Sequence, residues 1–197
     1  LAQSQAPLDI TLKIISDTDV DFIPDWTENL SAKLLSSHSV RCDPVADVTQ
    51  LPGYYEGQWW VQDCTAALPA RLMGNVSDKN IIDLCAAPGG KTMQLSAAGA
   101  DVTAVDISDV RVSKLKENLT RTSLDANIII SDLFKIKDCF DVIILDAPCT
   151  ATGTIRRHPD LPYVKSKADL SKLFHLQYIM LEHALSVMTG TRQVGSC

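Results

Sequence analysis

What this chain lacks narrows it before anything it contains does. Its 197 residues hold no apolar run of 18 or more, and no basic segment leading into a short apolar stretch. Neither a helical membrane span nor a secretory signal is therefore expected. The six cysteines, at 42, 64, 85, 139, 149 and 197, form no Cys-x-x-Cys pair and no cysteine–histidine spacing of the zinc-finger kind. A structural metal is not expected, and a reducing, cytoplasmic setting is. Excess positive charge is missing too, with a formal net charge of −6, so the chain does not coat nucleic acid by bulk electrostatics and any RNA contact has to be local. The Gly-x-Gly-x-x-Gly fingerprint is absent, which disfavours a dinucleotide-dependent hydride-transfer enzyme. There is no internal repeat and no low-complexity tract.

What is present suits one good hydrophobic core with a small appendage: 46% of the residues are hydrophobic, and the length is that of one main domain. Residues 1–62 are expected to form a small α+β appendage and connector, and 63–197 the main domain. Leu8, Ile10, Leu12 and Ile14 alternate with polar residues, predicting a strand at about 8–15. After Pro24-Asp25-Trp26, the leucines at 30, 34 and 35 recur at helical spacing, and extended character resumes over 40–48. The segment Leu51 to Asp63, with Tyr54, Tyr55, Trp59 and Trp60 between turn residues, is predicted to be an inter-domain connector. Its aromatics favour packing over base stacking. From residue 63 onward the pattern predicts a helix at 63–73, a strand at 80–84, a helix at 91–98, a strand at 101–105, a helix at 109–120, strands at 127–130 and 140–145, and a long helix at 169–188. Strands alternating with helices in this way imply βαβ units and a parallel, Rossmann-like sheet. The chain opens at Leu1 without a methionine and stops soon after the last helix, so a fragment of a larger protein is expected, its sheet incomplete at the C-terminal side.

In an open α/β sheet the ligand lies beyond the carboxyl ends of the strands. Acids stand at those ends here: Asp83, Asp106, Asp132 and Asp146. Each alone could be a helix cap, a common use of aspartate; the four together favour a site. Asp106 falls near the spacing at which a second-strand carboxylate accepts from a ribose diol, which makes the ligand a nucleoside. One competing motif is Gly90-Lys91-Thr92, which matches the last three positions of a phosphate-binding loop. The first glycine of that loop would fall at Cys85, however, and Pro88 lacks the N–H a phosphate cradle uses. S-adenosylmethionine suits the pattern better, since carboxylates help to hold its adenosine and its cationic sulfonium.

The segments DLCAAPGGKT, VDIS and DVIILDAPCTATGTIRRHPD, with WWVQD upstream, resemble the RNA (cytosine-5)-methyltransferases of the Nop/Sun family over about residues 51–190. The resemblance implies that Cys85, Ala86, Ala87, Pro88, Gly89, Gly90 and Lys91 form the S-adenosylmethionine loop, that Asp106 holds the ribose, that Asp132 lies near the adenine, and that Asp146 faces both cofactor and base. Cys149 matches the cysteine that helps to release the product. Cys197, in a Ser-Cys pair where the family carries Thr-Cys, matches the nucleophile that attacks C6 of cytosine, although Arg192 and Gln193 stand where the family is apolar. RNA contact is expected from Arg156, Arg157 and Lys165. The implied activity is methyl transfer to C5 of a cytosine in RNA, small-subunit (16S) ribosomal RNA by resemblance, by a monomer that needs no metal. Two alternatives stay open: a DNA cytosine methyltransferase, in which Cys149 itself is the nucleophile, and a remnant that binds cofactor or RNA without turnover.

Overall fold

The computed structural model describes residues 6–13, 25–35, 38–155, 167–189 and 194–196. They form two sheets. The first is antiparallel, in the order β2-β3-β1-β4, from β1 (Leu8–Leu12), β2 (Lys33–Leu34), β3 (Ser39–Cys42) and β4 (Trp59–Val61). The second is parallel, in the order β7-β6-β5-β8-β9, from β5 (Asn80–Leu84), β6 (Asp101–Asp106), β7 (Asn127–Ile130), β8 (Val142–Leu145) and β9 (Val194–Ser196). Helices α1 (Cys64–Leu72), α2 (Gly90–Ala97), α3 (Asp109–Thr122) and α4 (Lys167–Ser186) accompany them.

The parallel sheet is covered on both faces, as its continuous apolar strands require. Because side chains alternate along a strand, Ile81 and Ile144 pack with Leu95, Ala70 and Met73 on the α1/α2 side. Ile82, Leu84, Ile143 and Leu145 pack with Met180, Ala184 and Phe140 on the α4 side. Helix α3 buries Val112, Leu115, Leu119 and Thr122, a stripe at helical spacing, and is capped by Ser108, whose side chain accepts from the Arg111 N–H. The strand order reverses at β5: β6 and β7 lie on one side of it, β8 and β9 on the other. The carboxyl ends of β5 and β8 therefore flank the topological switch point, where a sheet of this kind opens a crevice.

Two expectations are corrected. Leu30 and Leu34 do not share a helix: a 3₁₀ turn covers Asp25–Leu30, and Leu34 sits in β2, paired with Val40 of β3. Helical spacing over so short a stretch yields to sheet pairing, which satisfies the backbone and also buries Val40. Part of the expected connector, Trp59–Val61, is instead a strand of the first sheet. Trp59 pairs with Leu12 and Trp60 with Thr11 in β4, and both indoles are buried. Their packing agrees with the preference for packing over base stacking. β1 is a strand over Leu8–Leu12, and residues 14 and 15 of its expected span lie outside the described residues. A smaller shift affects β8, which starts at Val142; Phe140 keeps an isolated bridge to Met188.

The sheets are tied together by directional contacts. Trp60 Nε1 donates to Gln62 Oε1 (2.8 Å), Gln62 Nε2 to Gln94 Oε1 (2.8 Å), and Gln94 Nε2 to the Ala67 carbonyl (3.0 Å), which joins β4, α1 and α2. Arg121, at the end of α3, donates to the carbonyls of Tyr54 (2.7 Å) and Trp59 (3.0 Å) and lies over the Tyr54 ring. Asp9 is buried with both oxygens on the Arg41 guanidinium (2.7 Å each) and accepts from the Cys64 N–H (3.0 Å). Asp9, Asp63 and Cys64 bring ligand-type atoms close together, but Arg41 already occupies the carboxylate that a cation would use.

Candidate functional site

The turn from β5 into α2 builds the centre of the site. Gly89 holds φ at +105°, a conformation that favours glycine, and a Cβ there would also push aside the tip of the Leu115 side chain on α3. Helix α2 starts at Gly90, and its first turn points two polar side chains at acids. Lys91 Nζ donates to Asp146 Oδ2 at 2.8 Å. Thr92 Oγ1 donates to Asp83 Oδ2 at 2.6 Å. Lys91 is only 7% exposed, whereas the Asp146 side chain is 43% exposed. The lysine and the threonine of the Gly-Lys-Thr run are thus both committed to carboxylates, which leaves neither for a phosphate.

A cleft of about 480 Å³ opens over this pair, lined among others by Trp60, Asp83, Pro88, Lys91, Asp146 and Thr154. Asp83 lies beneath it, 1% exposed, with no hydrogen-bond partner for Oδ1 among the described residues. Burial pushes its carboxyl up to about 7; Thr92 and Lys91 oppose that shift, and the charges of Asp146 and Asp106 add to it.

Asp106 is also buried. Its Oδ2 accepts from the Ala87 N–H (3.1 Å), and its Oδ1 from the Ser108 N–H (2.9 Å) and Arg111 Nη2 (2.7 Å). Asp132 accepts from the Phe134 N–H and so caps the 3₁₀ turn Leu133–Lys135. Ile107 follows Asp106 and is 68% exposed, an apolar side chain open to solvent at the end of β6. Cys85 is half-buried; burial above all, then Asp106, pushes its thiol up to about 11, so it is no thiolate at neutral pH.

Cys149 stands three residues beyond Asp146 and is exposed. Its Sγ accepts from the Ala151 N–H (3.3 Å), and its loop is held to α4 by Gln177 Nε2 donating to the Pro148 carbonyl (2.8 Å). Ser196 of β9 pairs with Leu145, the residue before Asp146. Arg156, Arg157, Lys165 and Cys197 lie outside the described residues.

The structure therefore brings Lys91, Asp146, Asp83 and the Cys85–Gly90 turn together. Asp106 and Asp132 fall at the neighbouring strand ends, β6 and β7. Three residues had no place in the expected site, Thr92, Arg111 and Ile107, and the unpaired oxygen of Asp83 was not foreseen either. Arg111 was legible as a cation in the first turn of the helix that follows Asp106. The Asp83–Thr92 contact joins a strand end to a helix start and has no local signal.

Residues 70–196 match the family described as 16S rRNA methyltransferase RsmB/F. The chain is 38% identical over 172 residues to ribosomal RNA small subunit methyltransferase B of Cronobacter sakazakii, a match that covers 80% of this chain and 40% of that protein. Among solved structures it resembles PH0851, with a TM-score of 0.86 at 20% identity over 98% of this chain and 46% of that one. It also resembles NSun6 of Pyrococcus horikoshii, solved with SFG, with a TM-score of 0.66 at 26% identity over 74% of this chain and 39% of that one. The chain thus spans about two fifths of the length of the curated relative. On the extent of the family match and on that identity, this chain belongs to the 16S rRNA methyltransferase RsmB/F family.

Proposed function

We propose that the chain carries the S-adenosylmethionine site and part of the catalytic site of an enzyme that methylates C5 of a cytosine in RNA, 16S ribosomal RNA by its family, through a cysteine adduct at C6. The observation that carries this reading is the Lys91–Asp146 pair on the floor of a cleft, three residues before an exposed cysteine. The residues fit the cofactor. A strand-end surface with Asp106, Asp132 and Asp146 suits a cationic, adenosine-bearing group, and the exposed Ile107 offers apolar surface for an adenine face.

When bound, S-adenosylmethionine supplies an electrophilic methyl group on a sulfonium. Asp106 would hold the ribose, with the half-exposed Arg111 as the donor a hydroxyl replaces at Oδ1. Asp132 and Ile107 would border the adenine, and the Cys85–Lys91 turn the methionine portion. Asp146 would accept a hydrogen bond from the N3/N4 edge of the target cytosine, which has to leave its stack to enter the cleft. The Cys197 thiolate adds to C6 and gives C5 the electron density to take the methyl. Cys149 then takes the C5 proton, so that the thiolate can leave and the double bond re-forms. Residues 1–62 would serve as the RNA-binding appendage, with Arg156, Arg157 and Lys165 on phosphates.

The test is methyl transfer from labelled S-adenosylmethionine to 16S ribosomal RNA, with Cys149→Ala and Cys197→Ala compared. If Cys197 is the nucleophile, Cys149→Ala accumulates a covalent protein–RNA adduct and Cys197→Ala forms none. If Cys149→Ala forms no adduct and Cys197→Ala keeps activity, Cys149 is the nucleophile and the assignment of roles reverses. Cofactor binding without any transfer identifies a binding remnant.

A further inference from the structure

The catalytic reading leaves one buried group unused. Asp83 lines the cleft at 1% exposure. One of its oxygens is fixed by Thr92 at 2.6 Å, and the other has no partner among the described residues. A buried acceptor without a donor costs about 1–3 kcal/mol, and in a native fold it calls for a physical reason. The two oxygens of a carboxylate are equivalent, so whichever one Thr92 holds, the other is left without a partner.

Lys91, one residue before Thr92, has the complementary problem. Its ammonium is nearly buried and rests on Asp146, whose side chain is 43% exposed and faces the same cleft. If Asp146 turns to hydrogen-bond a base, as the proposed function requires, Lys91 keeps its charge in a place with little water. A buried charge separated from its counter-ion is strongly destabilising. Asp83 is a buried acid at the same cleft, close enough for Lys91 and Asp146 both to act on its charge.

We infer that Asp83 is a positioning residue for Lys91: its free Oδ1 is the second carboxylate oxygen to which the ammonium passes when Asp146 engages the target base. The role rests on the proposed methyl transfer but is separable from it, because the hand-over concerns three side chains of this chain. An anchor for Thr92 alone needs one acceptor oxygen and no charge, and asparagine would serve it equally well.

Two measurements decide this. In a crystal structure of Asp146→Ala, Lys91 Nζ is expected within about 3 Å of Asp83 Oδ1, ordinary hydrogen-bond range. An ammonium turned to solvent, with Oδ1 still alone, overturns the inference. In Asp83→Asn, which keeps an acceptor for Thr92, kcat for methyl transfer is expected to fall about 10- to 100-fold, the scale of a misplaced catalytic group. The dissociation constant for S-adenosylmethionine should change by less than about threefold, a split that loss of a purely structural contact does not produce. A lower melting temperature with unchanged kcat would make Asp83 an anchor only. If Asp83→Asn does not fold, the Asp146→Ala structure still decides. If the unaltered chain transfers no methyl group, the proposed function fails, while the position of Lys91 in Asp146→Ala continues to test the hand-over.

Discussion

At the scale of single residues, the aspartates divide by surroundings rather than by sequence context. Asp9 and Asp83 are equally buried, yet their carboxyls shift in opposite directions. Burial raises Asp9, but hydrogen bonds from Arg41 and Cys64 more than offset it. For Asp83, burial outweighs Thr92 and Lys91, and the carboxyl reaches about 7 from 3.8. Between about pH 4 and 7 the folded chain, with Lys91 resting on Asp146, thus holds a proton on Asp83 that the unfolded chain gives up; the ammonium arriving at Oδ1 displaces it. The stability this supplies is fully present below the unfolded value of 3.8 and is lost as pH rises through about 7, at about 1.4 kcal/mol per pKa unit. Urea midpoints should therefore be lower at pH 8 than at pH 5 for the unaltered chain, and the difference should shrink in Asp83→Asn. An equal drop in both would locate the titration elsewhere. Asp9 works in the other direction, its contribution disappearing only as pH falls below the ordinary carboxylate range.

At the scale of elements, the junction between the sheets is set by Arg121 and the turn it grips. Arg121→Ala removes two charge-assisted hydrogen bonds and the contact over Tyr54. A loss of about 2–4 kcal/mol is expected in denaturant titration, since bonds to a charged group contribute about 1.5–3 kcal/mol each and do not add fully. Gly57→Ala should be about as damaging. Its φ is +67°, and a Cβ would meet the Arg121 carbonyl oxygen at 2.2 Å, a backbone atom that cannot yield without moving the end of α3. The βαβ elements from 80 to 145 were legible within a residue or two because their apolar runs and caps are local. The leucines near 30–35 misled because two turns of apparent helical spacing carry little weight against a strand partner. Trp59 and Trp60 passed for a connector because β4 is three residues long and is defined by β1, which lies about 50 positions earlier.

At the scale of the molecule, the cofactor is expected to stabilise the fold by mass action. S-adenosylmethionine at 100 times its dissociation constant should add about 2.7 kcal/mol, which raises the melting temperature of a chain of this length by about 5–10 °C. Differential scanning fluorimetry measures this directly; ATP should give no comparable shift, because Lys91 and Thr92 are held by acids. No helix among the described residues is long and apolar enough to cross a membrane. The matched family region, 70–196, takes in all of the parallel sheet, whereas the antiparallel sheet lies before it.

The sequence by itself determined the parallel sheet, the acids at its strand ends and the family, because strand periodicity, helix caps and the long run around Cys85–Thr92 are properties of neighbouring residues. It also placed Asp146 and Cys149 on one strand-to-loop segment. Only the tertiary structure decided that Lys91 reaches Asp146, that Thr92 fixes one oxygen of Asp83 and leaves the other alone, and that Arg111 shares Asp106 with two backbone N–H groups. These depend on how far a helix start sits from a strand end after packing. Side chains far apart in the chain then meet within 3 Å, and the partners a buried carboxyl finds, rather than burial alone, set whether it is charged.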